Sequence, residues 1–192
     1  MNILILHSSS DLYGASNILL IVIRNLINNG HHVVVVLSED GPLVGKLKDL
    51  EVEVHLIKLG VLRRKYYSVS GLLNRIKTIR NALKILTNLT KQKYIDLIYS
   101  NTTGVLVGAL LSKKLKIRHI WHVHEIIQKP KLFSKIISYL LNKYSERVIV
   151  VSDAVKYNWE RWVNNSKLVR IYNGINCDPF KDKSASLRTE LN

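Results

Sequence analysis

The chain has 192 residues, 47% of them hydrophobic, enough to bury the core of one large domain with little left over. Its 29 Lys and Arg against 14 Asp and Glu give a formal net charge of +15, which points to an anionic partner or surface. The single cysteine, Cys177, excludes an internal disulfide framework, and no apolar run is long enough for a bilayer span or a secretory signal. A cytoplasmic protein is the expectation.

Ile3 to His7 is a nearly unbroken aliphatic run, bounded by the polar, glycine-bearing stretch Ser8 to Ser16. It reads as a strand buried on both faces. Ser16 is placed to cap the next segment, in which Ile18, Leu19, Val22, Ile23 and Leu26 recur at helical spacing up to Asn29-Gly30. Such a strand–loop–helix unit offers backbone N–H groups and a positive dipole end to a ligand above the sheet. His31–Leu37 is a second buried strand, Leu43–Leu50 a short helix and Val52–Leu56 a third strand.

Leu62 to Ser70 is a basic, aromatic loop carrying Arg63, Arg64 and Lys65. The long helix behind it sets Leu72, Ile76, Ile79, Leu83 and Leu86 on one face and Lys77, Arg80, Lys84 and Lys91 along one flank. Between Val54 and Ile95 there are ten Lys or Arg and no acid; between Lys113 and Lys143 there are eight, with Glu125 the only acid. Asp96–Ser100 is a fourth strand, Thr103–Leu115 a small-residue helix, and Arg118–His124 a fifth strand ending at Glu125. After Pro130 an amphipathic helix sets Leu132, Phe133, Ile136, Ile137, Leu140 and Tyr144 among Lys131, Lys135 and Lys143. Arg147–Ser152, the helix Asp153–Trp162 and the strand Leu168–Tyr172 complete the alternation. The pattern predicts an α/β fold: a doubly wound, mostly parallel sheet of about seven strands with helices on both faces. The domain is expected to span residues 1–175, with 176–192 an interdomain linker and the beginning of a second domain.

The first loop has one glycine, Gly14, so the Gly-x-Gly-x-x-Gly fingerprint of a dinucleotide enzyme is absent, as are a Walker motif and zinc spacing. His122 and His124 share a strand face, but His-x-His without a third ligand makes no metal site. His122 reads best as a packed core histidine. His124 lies at the carboxyl end of a parallel strand, where open α/β sheets place their ligands, with Glu125 beside it. The basic flank and loop have three readings: nucleic acid, an anionic membrane, or solvated surface.

Four segments stand in a telling order: Tyr13-Gly14-Ala15-Ser16, Trp121-His-Val-His-Glu125, Val150-Val-Ser-Asp-Ala-Val155 and Ile171-Tyr-Asn-Gly-Ile175. Together they resemble the N-terminal half of a GT-B glycosyltransferase of the GT4 type, the retaining, nucleotide-sugar-dependent class. The resemblance implies an acceptor-binding Rossmann-like domain facing a C-terminal domain that holds the nucleotide sugar. It makes His124 the cleft histidine that contacts the transferred sugar and supports the transition state. Tyr13, Gly14 and Ala15 would approach the donor phosphates, Glu125 would replace an acidic neighbour, and Ser152 and Asn173 would border the cleft and hinge.

It implies no metal and no cofactor beyond the donor substrate. The family's paired-glutamate and phosphate-binding residues belong to the C-terminal domain, so the chain alone is expected to be inactive. The acceptor would be a polysaccharide, glycolipid or lipid-linked glycan. The charge at Arg63, Arg64, Lys65, Lys77, Arg80, Lys84, Lys129, Lys131 and Lys135 would then dock on an anionic membrane from the cytoplasm, with no specific nucleic acid expected. The competing readings are a nucleotide-sugar epimerase or similar Rossmann enzyme, and a non-catalytic basic module that binds polyanions.

Overall fold

A computed structural model describes residues 1–63, 66–127 and 131–174. Arg64, Lys65, Lys129 and the expected linker at 176–192 lie outside these residues.

The chain alternates β1 (Asn2–His7), α1 (Gly14–Asn28), β2 (His32–Leu37), α2 (Pro42–Lys48), β3 (Glu53–Leu56), α3 (Val69–Gln92) and β4 (Leu97–Asn101). It continues through α4 (Val107–Leu115), β5 (Arg118–Val123), α5 (Lys131–Tyr144), β6 (Arg147–Val150), α6 (Asp153–Glu160), a 3-10 turn at Asn165–Lys167 and β7 (Leu168–Arg170). The seven strands form one sheet in the order β3-β2-β1-β4-β5-β6-β7, and every pairing is parallel.

The aliphatic runs explain this arrangement. In β1 successive side chains leave on opposite faces: Leu4 and Leu6 join the core under α3 and α4, whereas Ile3 and Ile5 join Leu19, Ile23 and Leu43 of α1 and α2. A strand that must be apolar on both faces reads as an unbroken run. A third cluster, around Trp121, Val148, Val150, Ile137, Leu141 and Trp159, closes the β5–β7 end with α5 and α6. The chain therefore leaves β1 toward one face and β4 toward the other, although the two strands are neighbours. That divergence opens a crevice at their carboxyl ends.

Three expectations change. Ser16 does not cap α1: the N-cap is Tyr13, without a side-chain bond, and the buried Ser16 hydroxyl turns inward to His7. The segment before α4 is irregular as far as Leu106, and Thr102 there has φ +78°, a strained value for a β-branched residue. Third, the expected apolar faces of α3 and α5 are only partly covered. Ile79, Ala82, Leu86 and Leu89 of α3 are buried, but Leu72, Leu73 and Ile76 are 41%, 62% and 48% exposed. In α5 the buried face includes Ser134 and Ser138, whereas Leu132 and Ile136 lie outside it. Periodicity marks an apolar stripe but not what lies against it.

Gly108 shows how closely α4 sits on the sheet. A Cβ there would lie 2.0 Å from Ser100 Oγ and 3.3 Å from His119 Nε2. Gly108→Ala is expected to cost about 1–3 kcal/mol in urea unfolding through overpacking. The cost should shrink in a Ser100→Ala background, and a double-mutant cycle will read that coupling.

Candidate functional site

At the β1–β4 crevice the parallel register places His7 beside Asn101, and Asn101 beside His122. All three are buried: His7 and Asn101 are 1% and 0% exposed, His122 4%. Buried polar groups need partners: His7 and Asn101 find each other, whereas His122 turns to Tyr99.

Asn101 is the centre. Its Nδ2 donates to the Ala15 carbonyl oxygen at 3.3 Å and lies 3.0 Å from His7 Nδ1, while its Oδ1 lies 2.8 Å from His124 Nε2. A carbonyl can only accept, so the bond to Ala15 fixes which end of the amide is nitrogen. His7 Nδ1 must then accept, leaving its Nε2–H to donate to Ser16 Oγ at 3.0 Å. His124 Nε2–H must donate to Oδ1, which leaves Nδ1 bare and without a hydrogen bond among the described residues.

His122 packs 4.2 Å from His124 between ring centroids and meets the Tyr99 hydroxyl through Nδ1 at 2.6 Å. Its Nε2 is buried with no partner among the described residues. The expected packed histidine is thus a core residue, and it also floors the site.

Burial holds these rings neutral. It lowers His7 from an ordinary 6.5 to about 4, helped by the charge that His124 would carry and opposed by Asn101. It lowers His122 to about 3, again with help from His124, and His124 itself to about 4. On the opposite face of the sheet, His119, bonded to Ser100 and the Tyr144 carbonyl, is lowered by burial to about 4.

Glu125 faces back into the chain. Its carboxylate accepts from the Thr103 N–H at 3.1 Å and the His124 N–H at 3.2 Å. Burial raises its pKa and those N–H bonds partly offset the rise. The Trp121 indole donates to the Thr102 carbonyl and the Trp159 indole to that of Glu125, so two large core side chains brace the loop.

The other expected residues spread outward. Gly14 opens α1 at the same edge, an added Cβ would meet nothing within 4 Å, and Tyr13 is 76% exposed. Ser152 caps α6 through the Val155 N–H and does not reach the histidine cluster. Asn173 is exposed beyond β7. Arg63 donates to the Ser8 carbonyl beside the site, whereas Lys77, Arg80, Lys84, Lys131 and Lys135 lie on the outer surfaces of α3 and α5. Among the described residues no group of three or more His, Cys, Asp or Glu side chains is placed to hold a metal ion. Nor is any described helix long and apolar enough to cross a membrane. His7, Tyr99, Asn101 and Thr103 are not marked as site residues by the sequence, and Ser16 is marked there only as a cap. For His7 and Asn101 the signal is a polar residue ending an otherwise aliphatic strand, and it matters only once β1, β4 and β5 are known to be neighbours.

The profile of Glycosyltransferase Family 4 matches residues 13–179. The chain belongs to this family. No curated protein matches it in sequence. Among solved structures, HepE of Anabaena in complex with UDP is similar over 100% of this chain and 50% of its own, with 22% identity and a TM-score of 0.77. A glycosyltransferase of Rickettsia africae matches over 99% and 48%, with 19% identity and a TM-score of 0.68. MurG of Acinetobacter baumannii matches over 79% and 41%, with 16% identity and a TM-score of 0.57. The chain thus spans about half the length of these glycosyltransferases, and its all-parallel sheet is one Rossmann-like half of the GT-B fold.

The neutral histidines give a pH prediction. Their folded pKa values lie below the unfolded 6.5, so stability is full above about pH 6.5 and is lost as pH falls toward 4. Each ring that stays neutral contributes up to about 1.4 kcal/mol per pH unit in that window. Urea unfolding at pH 7 and pH 5 measures it; equal stabilities at the two would contradict the neutral assignment.

Proposed function

We propose that this chain is the acceptor-binding domain of a nucleotide-sugar-dependent, retaining glycosyltransferase that works with a second, donor-binding domain. The chain alone is proposed to turn over no nucleotide sugar, because the groups that neutralise a leaving diphosphate are proposed to lie in that second domain. The observation that carries the reading is His124. It is a neutral imidazole, oriented by Asn101 through Nε2–H, with a bare Nδ1 at the carboxyl edge between diverging strands.

Such a ring accepts a hydrogen bond from a sugar hydroxyl without placing a cation beside the developing positive charge of a glycosyl transition state. The α1 N-terminus, open at Gly14 and lacking a side-chain cap, presents unpaired N–H groups suited to a donor phosphate. The complexes of HepE with UDP and with UDP-glucose support a nucleotide-sugar donor by analogy of fold.

The acceptor is proposed to be a polysaccharide, glycolipid or lipid-linked glycan, reached by peripheral contact with an anionic membrane from the cytoplasmic side. Supporting this, Leu62, Tyr67, Leu72, Leu132, Phe133 and Ile136 line an apolar groove of about 260 Å³ between α3 and α5. Lys131 lies exposed beside it, with Lys135 near the Trp162 ring. An apolar face rimmed by lysines suits an anionic bilayer.

In the enzyme carrying both domains, His124→Ala is expected to lower kcat by about 10²–10³-fold with the protein still folded, the unpaired Asn101 Oδ1 costing about 1–3 kcal/mol of stability. Unreduced turnover would remove the proposal. For the membrane contact, liposome sedimentation should show anionic vesicles preferred over neutral ones. Each of Lys131→Gln and Lys135→Gln should weaken that binding roughly fivefold. Equal binding to both vesicle types would rule the contact out.

A further inference from the structure

A second cavity lies beside the histidine cluster, on the β1–β3 side of the crevice. It holds about 300 Å³ between the carboxyl ends of those strands and the first turns of α3. Lys58, Arg63 and Arg75 line it together with Ser8, Ser38 and Glu39. Three cations thus face one acid, and among the described residues none of the three is ion-paired. Grouping three like charges around one hollow is unfavourable unless something negative fills it.

Arg75 is the residue that makes this a built site. Its guanidinium lies 4.1 Å from the Tyr66 ring centroid, and one Nη is held by the Asn74 carboxamide. Stacking of this kind fixes the plane of the fork. Yet its Nε–H is buried with no acceptor among the described residues. A buried donor left unpaired costs free energy, and such an orphan calls for a partner. The cavity wall behind is rigid as well. Gly60 has φ +68°, and a Cβ there would come within 2.6 Å of Ile79 Cγ1, so the segment carrying Lys58 is seated directly on α3.

The cavity continues toward the proposed chemistry. A neighbouring hollow shares Ser8, Val61 and Arg63 with it and runs on past Thr103 to Glu125, the residue next to His124. Tyr13, Gly14 and Ala15, at the α1 N-terminus where a donor phosphate would sit, line neither. A ligand anchored by its charge at Lys58 and Arg75 would therefore extend past Arg63 toward Glu125, the residue next to His124.

We propose that this cavity binds a phosphate group of the acceptor, held by Lys58, Arg63 and Arg75, so that the acceptor enters in one orientation. Two guanidinium groups and an ammonium match the several oxygens of a phosphate better than the two of a carboxylate. The word acceptor rests on the transferase reading above; the phosphate site does not.

The test is calorimetric titration of the 192-residue chain with inorganic phosphate, a hexose 1-phosphate, a short water-soluble prenyl phosphate and the unphosphorylated hexose. Saturable binding of the phosphorylated probes but not of the hexose is expected. Arg75→Gln and Lys58→Gln should each weaken it about tenfold or more, and Lys114→Gln, at the opposite edge of the sheet, should not. Lys58 is exposed at the end of β3, so its variant keeps the test readable if Arg75→Gln disturbs α3.

Tighter binding of the prenyl phosphate would make the acceptor lipid-linked; tighter binding of the hexose phosphate would make it a phosphorylated glycan. Either supports the site. Equal weakening by Lys114→Gln would reduce the effect to diffuse surface charge and overturn the proposal, as would displacement of the hexose phosphate by UDP, which would give the cavity to the donor. Because binding is read without turnover, its failure leaves the transferase reading intact. Transfer that survives His124→Ala would remove that reading and leave the phosphate site standing.

Discussion

One carboxamide holds the carboxyl edge of this sheet together at the β1–β4 crevice. Asn101 ends β4, and through its two polar atoms it joins β1 by His7, the first turn of α1 by the Ala15 carbonyl, and the segment after β5 by His124. Because each bond has a donor and an acceptor that cannot be exchanged without leaving another unpaired, the amide orientation sets the tautomer of both imidazoles at once. The neutral state of the rings has a different cause: burial disfavours the imidazolium at both, and at His7 the charge that His124 would carry adds to it while the Asn101 bond opposes it.

This dependence explains why so much of the fold, and so little of the site, is legible in the sequence. The aliphatic runs Ile3–Leu6 and Val33–Leu37 announce parallel strands because they are buried on both faces, and the alternation with helices gives the doubly wound class. Strand adjacency is another matter. His7 and Asn101 are 94 positions apart and become neighbours only because β4 returns to the far side of β1. No spacing rule in a single sequence exposes that register. His124 was visible because it sits at the end of a recognisable strand, inside a recognisable motif; the amide that orients it carries no such mark.

Ser16 fails as a predicted cap for a related reason. A serine at the start of a helix satisfies the capping pattern, but the pattern is blind to a buried imidazole waiting 3.0 Å away. The tertiary partner outcompetes the local one, and the α1 N-terminus is left open. The apolar faces of α3 and α5 show the converse. Their periodicity is correct, yet Leu72, Ile76, Leu132 and Ile136 reach beyond the sheet that covers the remainder of each helix.

The charge divides along the same helix. Within the acid-free stretch from Val54 to Ile95, Arg75 is drawn partly inward over Tyr66, whereas Lys77, Arg80 and Lys84, two to nine residues on, stay in solvent. A stripe of exposed lysines acts through the summed field and is screened within roughly 8–10 Å at physiological salt. A guanidinium fixed on an aromatic ring, with one buried N–H unpaired, acts through geometry and is far less sensitive to screening. The net charge of +15 therefore cannot be assigned to one purpose. The outer cations can draw the domain toward an anionic surface, while those around the Lys58–Arg75 cavity are arranged to select a single group.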